Sequence, residues 1–219
     1  SEITMYEDDP MWVGYYQMLE CMYGKHPIRN RIAGTAETVA EITEETLQRA
    51  YACYYTTDEM ALVCAGDIPL GEVRRMAEHV ARRETAARVY FPTEDAEIAE
   101  KYRACEMRLS VPQFQIGCKL PPLPKQDWLK KRMAAGFCME LLAGESSVFF
   151  QKAYEWDWLD EALGSAFFCG EGYAFAAFSG SGTHPEETAD FLGRELERLQ
   201  REGFSQEDFQ RIRKKHLGQ

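Results

Sequence analysis

Residues 105–120 constrain the fold of this chain more than any other stretch. Cys105, Met107, Leu109 and Val111 alternate with Glu106, Arg108 and Ser110; Phe114, Ile116, Cys118 and Leu120 then alternate with Gln113, Gln115 and Lys119. Only an extended chain puts every second side chain on one face, so this period of two predicts two strands, each half-buried. The parity flips at Pro112, which has no N–H to give a ladder, and a bulge or edge position is expected there. Pro121-Pro122-Leu123-Pro124 stops the run, and a long helix is expected over residues 127–142 with Gly144 as its terminator. A shorter helix carries Val148, Phe149 and Tyr154. Residues 163–169 and 173–179 read as a hairpin around Gly170-Glu171-Gly172. Pro185, with Glu186 and Glu187, opens a helix whose Ala189, Leu192, Leu196 and Leu199 form an apolar face as far as Gly203. Ser205, with Asp208 three residues on, caps a last helix. Strands, helices, hairpin and helices in this order predict an α+β fold, a mostly antiparallel sheet with helices packed against it.

Upstream, Asp9 is placed to cap a helix with Pro10 at its first position, and Trp12, Tyr15, Tyr16, Leu19, Met22 and Tyr23 fall on one face. Gly34-Thr35 opens a short helix. Thr43 caps another, with Glu44 and Glu45 in the first turn, where carboxylates favour the helix dipole, and Leu47, Ala50, Tyr51 and Tyr54 on one face. Met60-Ala61-Leu62-Val63-Cys64-Ala65 is apolar on both faces and closed by Gly66-Asp67, which predicts a strand in the middle of a sheet. Val73, Met76, Ala77 and Val80 then repeat at helical spacing. Residues 84–103 have little periodicity, and a domain boundary is expected there.

These segments carry a resemblance. Ile32-Ala33-Gly34-Thr35-Ala36-Glu37, Ile42-Thr43, Tyr54-Tyr55 and residues 60–67, in that order, resemble the pitrilysin/insulinase/mitochondrial-processing-peptidase family of zinc metallopeptidases. Glu2-Ile3-Thr4-Met5-Tyr6-Glu7-Asp8-Asp9-Pro10-Met11-Trp12 and Lys25-His26-Pro27-Ile28-Arg29 are similar to its bacterial branch. The resemblance covers essentially the whole chain. It implies metalloprotease-type lobes facing each other across a substrate chamber. Residues 1–87 would be the C-terminal part of the first, metal-bearing lobe, and residues 88–219 most of a second, non-catalytic one, so that two partial lobes are present. The family's inverted zinc motif, His-x-x-Glu-His, lies upstream of the position of Glu2 and is absent here.

Catalytic zinc needs three protein ligands, an open position for water and a general base. The resemblance puts Glu2 where the family has the glutamate that completes the metal site. Read alone, Glu2 is one solvated carboxylate among 36 acidic residues. One carboxylate cannot hold zinc against water, so zinc is expected in the intact parent and none in this chain alone. Glu78-His79 has half of the inverted motif, but Arg75 stands where its first histidine belongs, and a guanidinium cannot ligate a cation. The family's substrate-clamping Arg-x-x-x-Gly-Leu-x-Tyr pattern aligns with residues 154–159, with Tyr154 at the arginine position and Ala162 near the tyrosine position. Clamping by this lobe is therefore in doubt, and a partner subunit is the alternative source. Gly180-Ser181-Gly182 could cradle an anion if its amides converged, although a polar loop is the ordinary reading. Ser146-Ser147 suits helix capping better than nucleophilic chemistry, since no histidine lies near in sequence.

A net charge of -11 and the lack of a basic stripe argue against nucleic acid as a partner. No apolar run suggests a membrane span, and no signal peptide is seen. Seven scattered cysteines without metal spacing read as reduced thiols in a cytoplasmic protein. Two functions are open. The chain is part of a zinc metalloendopeptidase, mainly its inactive domain, whose parent hydrolyses peptides in its chamber; alternatively it is a non-catalytic scaffold or partner-binding subunit. The expected partners are the remainder of its own polypeptide or a paralogous lobe, and further copies of itself in a homo-oligomer.

Overall fold

The computed structural model describes residues 2–58, 60–80 and 90–218. The chain divides into two compact units, Ser1–Ala33 with Phe91–Gln219, and Gly34–Tyr90. The lobe boundary expected at residues 87/88 falls within 81–89, outside the described residues.

The first unit is built on a three-stranded antiparallel sheet, β1 (Gln113–Leu120), β2 (Gly164–Gly170) and β3 (Tyr173–Ser181), in the order β1-β3-β2. The register sets Ile116 opposite Phe178, Gly117 opposite Ala177 and Phe168 opposite Phe175, so residues of opposite parity face opposite sides. Both sides are covered. On one, α2 (Pro10–Met22) lays Met18, Leu19 and Met22, followed by Tyr23, over Phe175 and Ala177. Asp9 starts this helix as expected, its side chain accepting from the amides of Met11 and Trp12 with Pro10 next. A Cβ on Gly117 would stand 2.7 Å from Met22 Sδ, so the glycine lets helix and strand approach. On the other side lie α6 (Trp128–Ala143), α7 (Val148–Glu155) and α8 (Pro185–Glu202). They bury Met139, Leu142, Phe149, Ala153, Phe191 and Leu192 with Phe178 of the sheet. Helix α9 (Gln206–Leu217), capped by Ser205 as expected, packs on α6 through Phe209 against Phe137 and Lys215 against Glu140.

Residues 125–155 are long and apolar enough by composition to cross a membrane. They form two helices parted at residues 144–147, and their buried residues belong to the core just described.

The hairpin forms where expected, with Gly172 at φ 81°, a left-handed conformation that favours glycine. The strand expected over residues 105–111 does not form. Leu109 N donates to Met107 O at 3.1 Å, a tight three-residue turn that breaks the extended run, and the ladder begins at Gln113. At that end Gly182 N donates to the carbonyl of Pro112, which has no N–H to return the bond.

The second unit holds α3 (Ala36–Ala40), closed by a reciprocal box between Thr35 and Thr38, α4 (Glu44–Tyr54), capped by Thr43, and α5 (Leu70–Glu78). The central strand expected over residues 60–65 is absent, and Met60, Leu62 and Val63 are exposed. A strand exists by pairing with a neighbour, and among the described residues none pairs with this one. The apolar stripe of α4, Leu47, Tyr51 and Tyr54, is likewise exposed. Both buried apolar clusters belong to the first unit.

Candidate functional site

Glu2 is the first residue of α1 (Glu2–Asp8) and is exposed. One helical turn on, Tyr6 donates its hydroxyl to Glu2 Oε1 at 3.0 Å, and this bond with the carboxylate charge raises the phenol's pKa. Among the described residues no three His, Cys, Asp or Glu side chains are grouped so as to hold a metal ion. The described residues therefore do not group into a zinc site, and Glu2 stands among them as a single exposed carboxylate bonded to Tyr6. Beyond it an open cleft of ≈ 490 Å³ lies between Glu7, Asp8 and Val13 on one side and residues 105–109 on the other. Its lining mixes the charged Glu7, Asp8, Glu106 and Arg108 with the apolar Val13, Met107 and Leu109.

The histidines serve the fold. Buried His26 accepts from Ile28 N at Nδ1, so its Nε2 carries the proton and donates to Glu171 O at 2.9 Å; its ring stacks on Phe91. His79 caps the end of α5, its Nδ1 within 2.6 Å of Arg75 O, and among the described residues the half-motif Glu78-His79 belongs to no group of three metal-ligating side chains. His184 precedes α8 and stacks on Trp158, while His216 lies on Phe137.

Of the other sequence candidates, Ser147 caps α7, accepting from Phe150 N, and Ser146 meets Arg211. Gly180 and Ser181 sit in β3 opposite Phe114 and Gln113, and the Gly182 amide is bonded to Pro112, so these amides do not converge on a ligand. Tyr154 lies exposed on α7 and Ala162 is half-buried. The strongest polar constellation is one the sequence did not announce. The Glu94 carboxylate accepts from the amides of Gly24, Lys25 and His26 and pairs with Lys119 Nζ at 3.2 Å. Burial pushes its pKa up, but those bonds outweigh burial and hold it down at about 2. With every acceptor site occupied inside the protein, this is a structural clasp with no open position for substrate.

Neither the cleft nor Glu2 identifies a family alone; likeness to known proteins does. Residues 41–215 match the family model described as the peptidase M16 inactive domain. The chain belongs to the peptidase M16 family. Over its whole length it is 29% identical to a Bacillus subtilis (strain 168) protein named uncharacterized zinc protease YmfH, of which it covers 52%. It is also similar to a solved M16-like peptidase from Alicyclobacillus acidocaldarius. The TM-score there is 0.88 at 27% identity, over 99% of this chain and 53% of that one. A peptidase M16 inactive domain from Pseudomonas fluorescens shares the fold, with a TM-score of 0.78 at 14% identity, over 99% of this chain and 53% of its own. The chain thus spans about half the length of the M16 relatives it matches. The family read from residues 2–12 and 28–67 is the one that these comparisons show, and the α+β architecture is that of M16 domains.

Proposed function

We propose that this chain works as the inactive-domain part of a zinc-dependent M16 metallopeptidase, where it helps to enclose the chamber in which the parent hydrolyses peptides. The observation that carries this is the match to the inactive-domain model, together with full-length similarity to half of a protein named as a zinc protease. On this reading residues 1–87 end the metal-bearing lobe and residues 88–219 form most of the second. Glu2 would be the metal ligand from this chain, its carboxylate joining histidines supplied by the remainder of the polypeptide or a paralogous lobe. The exposed Leu47, Tyr51, Tyr54, Leu62 and Val63 support such a partner, since apolar surface on this scale is costly in water. Seven free cysteines support a reducing, cytoplasmic setting. A scaffold without peptidase activity is the second reading, favoured by Tyr154 standing where the family's substrate-clamping arginine belongs.

The test joins the chain to a separately produced M16 segment bearing His-x-x-Glu-His. Alone, the chain should bind no stoichiometric zinc and cleave no peptide; joined, the pair should hold one zinc, lost in Glu2→Gln. Tightly held zinc on the chain alone, or unchanged zinc in the Glu2→Gln pair, would overturn the assignment of Glu2.

A further inference from the structure

We propose that the exposed end of the α6–α9 helix pair docks on an anionic lipid surface, with Leu129, Met133 and Leu217 entering the headgroup boundary and Lys130, Lys131 and Arg132 meeting lipid phosphates. Helix α6 outruns its cover. Its second half buries Met139, Leu142 and Ala143, whereas every residue from 129 to 134 is exposed. Helix α9 packs against the middle of α6, where His216 lies on Phe137 with ring centroids 4.6 Å apart and Lys215 reaches Glu140 at 2.8 Å. Leu129 and Met133 precede Phe137 by eight and four residues, so they continue the same helix face beyond the end of α9. Among the described residues little covers them: Leu129 is 74% and Met133 60% exposed, and Leu217, next to His216, is 75% exposed.

Charge separates this end from the rest of the molecule. Residues 128–139 and 209–219 hold seven Lys or Arg and no Asp or Glu, while elsewhere in the chain acidic residues outnumber basic ones by 36 to 18. The cations of α9 have a local reason. Lys214 and Lys215 stand in its last turn, where the dipole favours positive charge, and Arg211 pairs with Asp208. Lys130, Lys131 and Arg132 have none. They fall in the first turns of α6, where the dipole opposes positive charge and Asp127 gives no side-chain cap. Among the described residues none of the three makes an ion pair. At about 100° per residue, Lys130 and Arg132 flank the Leu129–Met133 stripe on either side. An aliphatic strip between long cationic side chains is the layout of a helix lying in a bilayer interface, where apolar tips sink and charged heads reach phosphates. An acidic protein would meet three consecutive cations that diverge round the helix and cannot all face one rigid surface, whereas a fluid bilayer moves its phosphates to them. The net charge of -11 does not forbid this, since at physiological salt a charge acts over only ~8 Å. The surface needs no metal, so it stands or falls apart from the zinc assignment.

Co-sedimentation with vesicles at low and physiological salt tests it, comparing phosphatidylglycerol–phosphatidylcholine mixtures with phosphatidylcholine alone. The chain should bind the anionic vesicles and not the neutral ones. Affinity should fall about tenfold or more in Lys130→Gln/Lys131→Gln/Arg132→Gln. Binding that persists at physiological salt should be lost in Leu129→Ser/Met133→Ser. All five residues are exposed, so both variants keep the fold. Lys101→Gln/Lys152→Gln/Arg201→Gln removes the same charge from other exposed sites and should leave affinity unchanged. Equal weakening in that control, equal binding to neutral vesicles, or no binding to anionic vesicles at low salt would each overturn the proposal. So would a polyglutamate peptide that binds as tightly and displaces the vesicles, which would assign the face to an acidic protein.

Discussion

Glu94 takes three consecutive amides and Lys119 with a side chain only 5% exposed, and Lys119 is 7% exposed. Glu94→Ala would strand that lysine and three N–H groups. Breaking a buried pair from one side costs about 3–5 kcal/mol, a large share of the ~5–15 kcal/mol of a typical domain. The expected outcome is a clear fall in the denaturant midpoint of the first unit. The pH dependence has a definite sign. A carboxyl whose folded pKa is about 2, against 4.5 for the free group, contributes its stability above pH 4.5 and loses it as pH falls towards 2. Acid unfolding of the unaltered chain should therefore steepen in that window, and the Glu94→Ala chain should lack that component; identical acid profiles would contradict the clasp. None of this was legible in the sequence. Glu94 stands in a stretch without periodicity, and its partners are backbone groups some 70 residues away, which leave no residue-type signature. Asp9, Thr43 and Ser205, whose partners lie two or three residues on, were all read correctly as caps.

Elements follow the same division between local and distant causes. Helices α2, α4, α8 and α9 and the β2–β3 hairpin were legible because their hydrogen bonds close within a few residues. Residues 60–65 and 105–111 were misread for one reason: alternation reports which side chains favour burial, whereas a strand also needs a neighbour. Among the described residues, strand β2 has such a neighbour on one side only. The tight hairpin points the backbone groups of Gly164, Ala166, Phe168 and Gly170 at β3, leaving those of Ser165 and Phe167 on the unpaired side, outside the buried end of the strand. The strand holds no charged residue and no proline, the devices that usually protect an edge. The isolated chain is therefore expected to form a homodimer or larger oligomer through this edge. The charge of -11 acts over only ~8 Å at physiological salt and should not prevent it. Light scattering at tens of micromolar should show association, reduced by Phe167→Lys; a strict monomer would refute it.

At the scale of the whole molecule, the second unit is an insertion in the chain of the first. The chain leaves the first unit at Ala33 and re-enters at Phe91, whose ring stacks on His26 at 5.2 Å, so the return is pinned by a contact within the first unit. Replacing residues 34–90 by a short glycine–serine linker should leave a folded domain with a cooperative thermal transition and dispersed amide resonances. Loss of cooperativity would mean that the first unit depends on the second. The lobe division read from the sequence could not show this arrangement, because α2 completes a sheet whose strands come after the inserted unit. That order has a kinetic side. At about 5–20 residues per second, a ribosome delivers α2 many seconds before β3, which it must cover. Until then Leu19, Met22 and Tyr23 have no sheet to lie on. Closing so long a loop is slow compared with forming the β2–β3 hairpin. Helix α2 is thus expected to dock last, leaving a window in synthesis when its bare apolar face is open to chaperones.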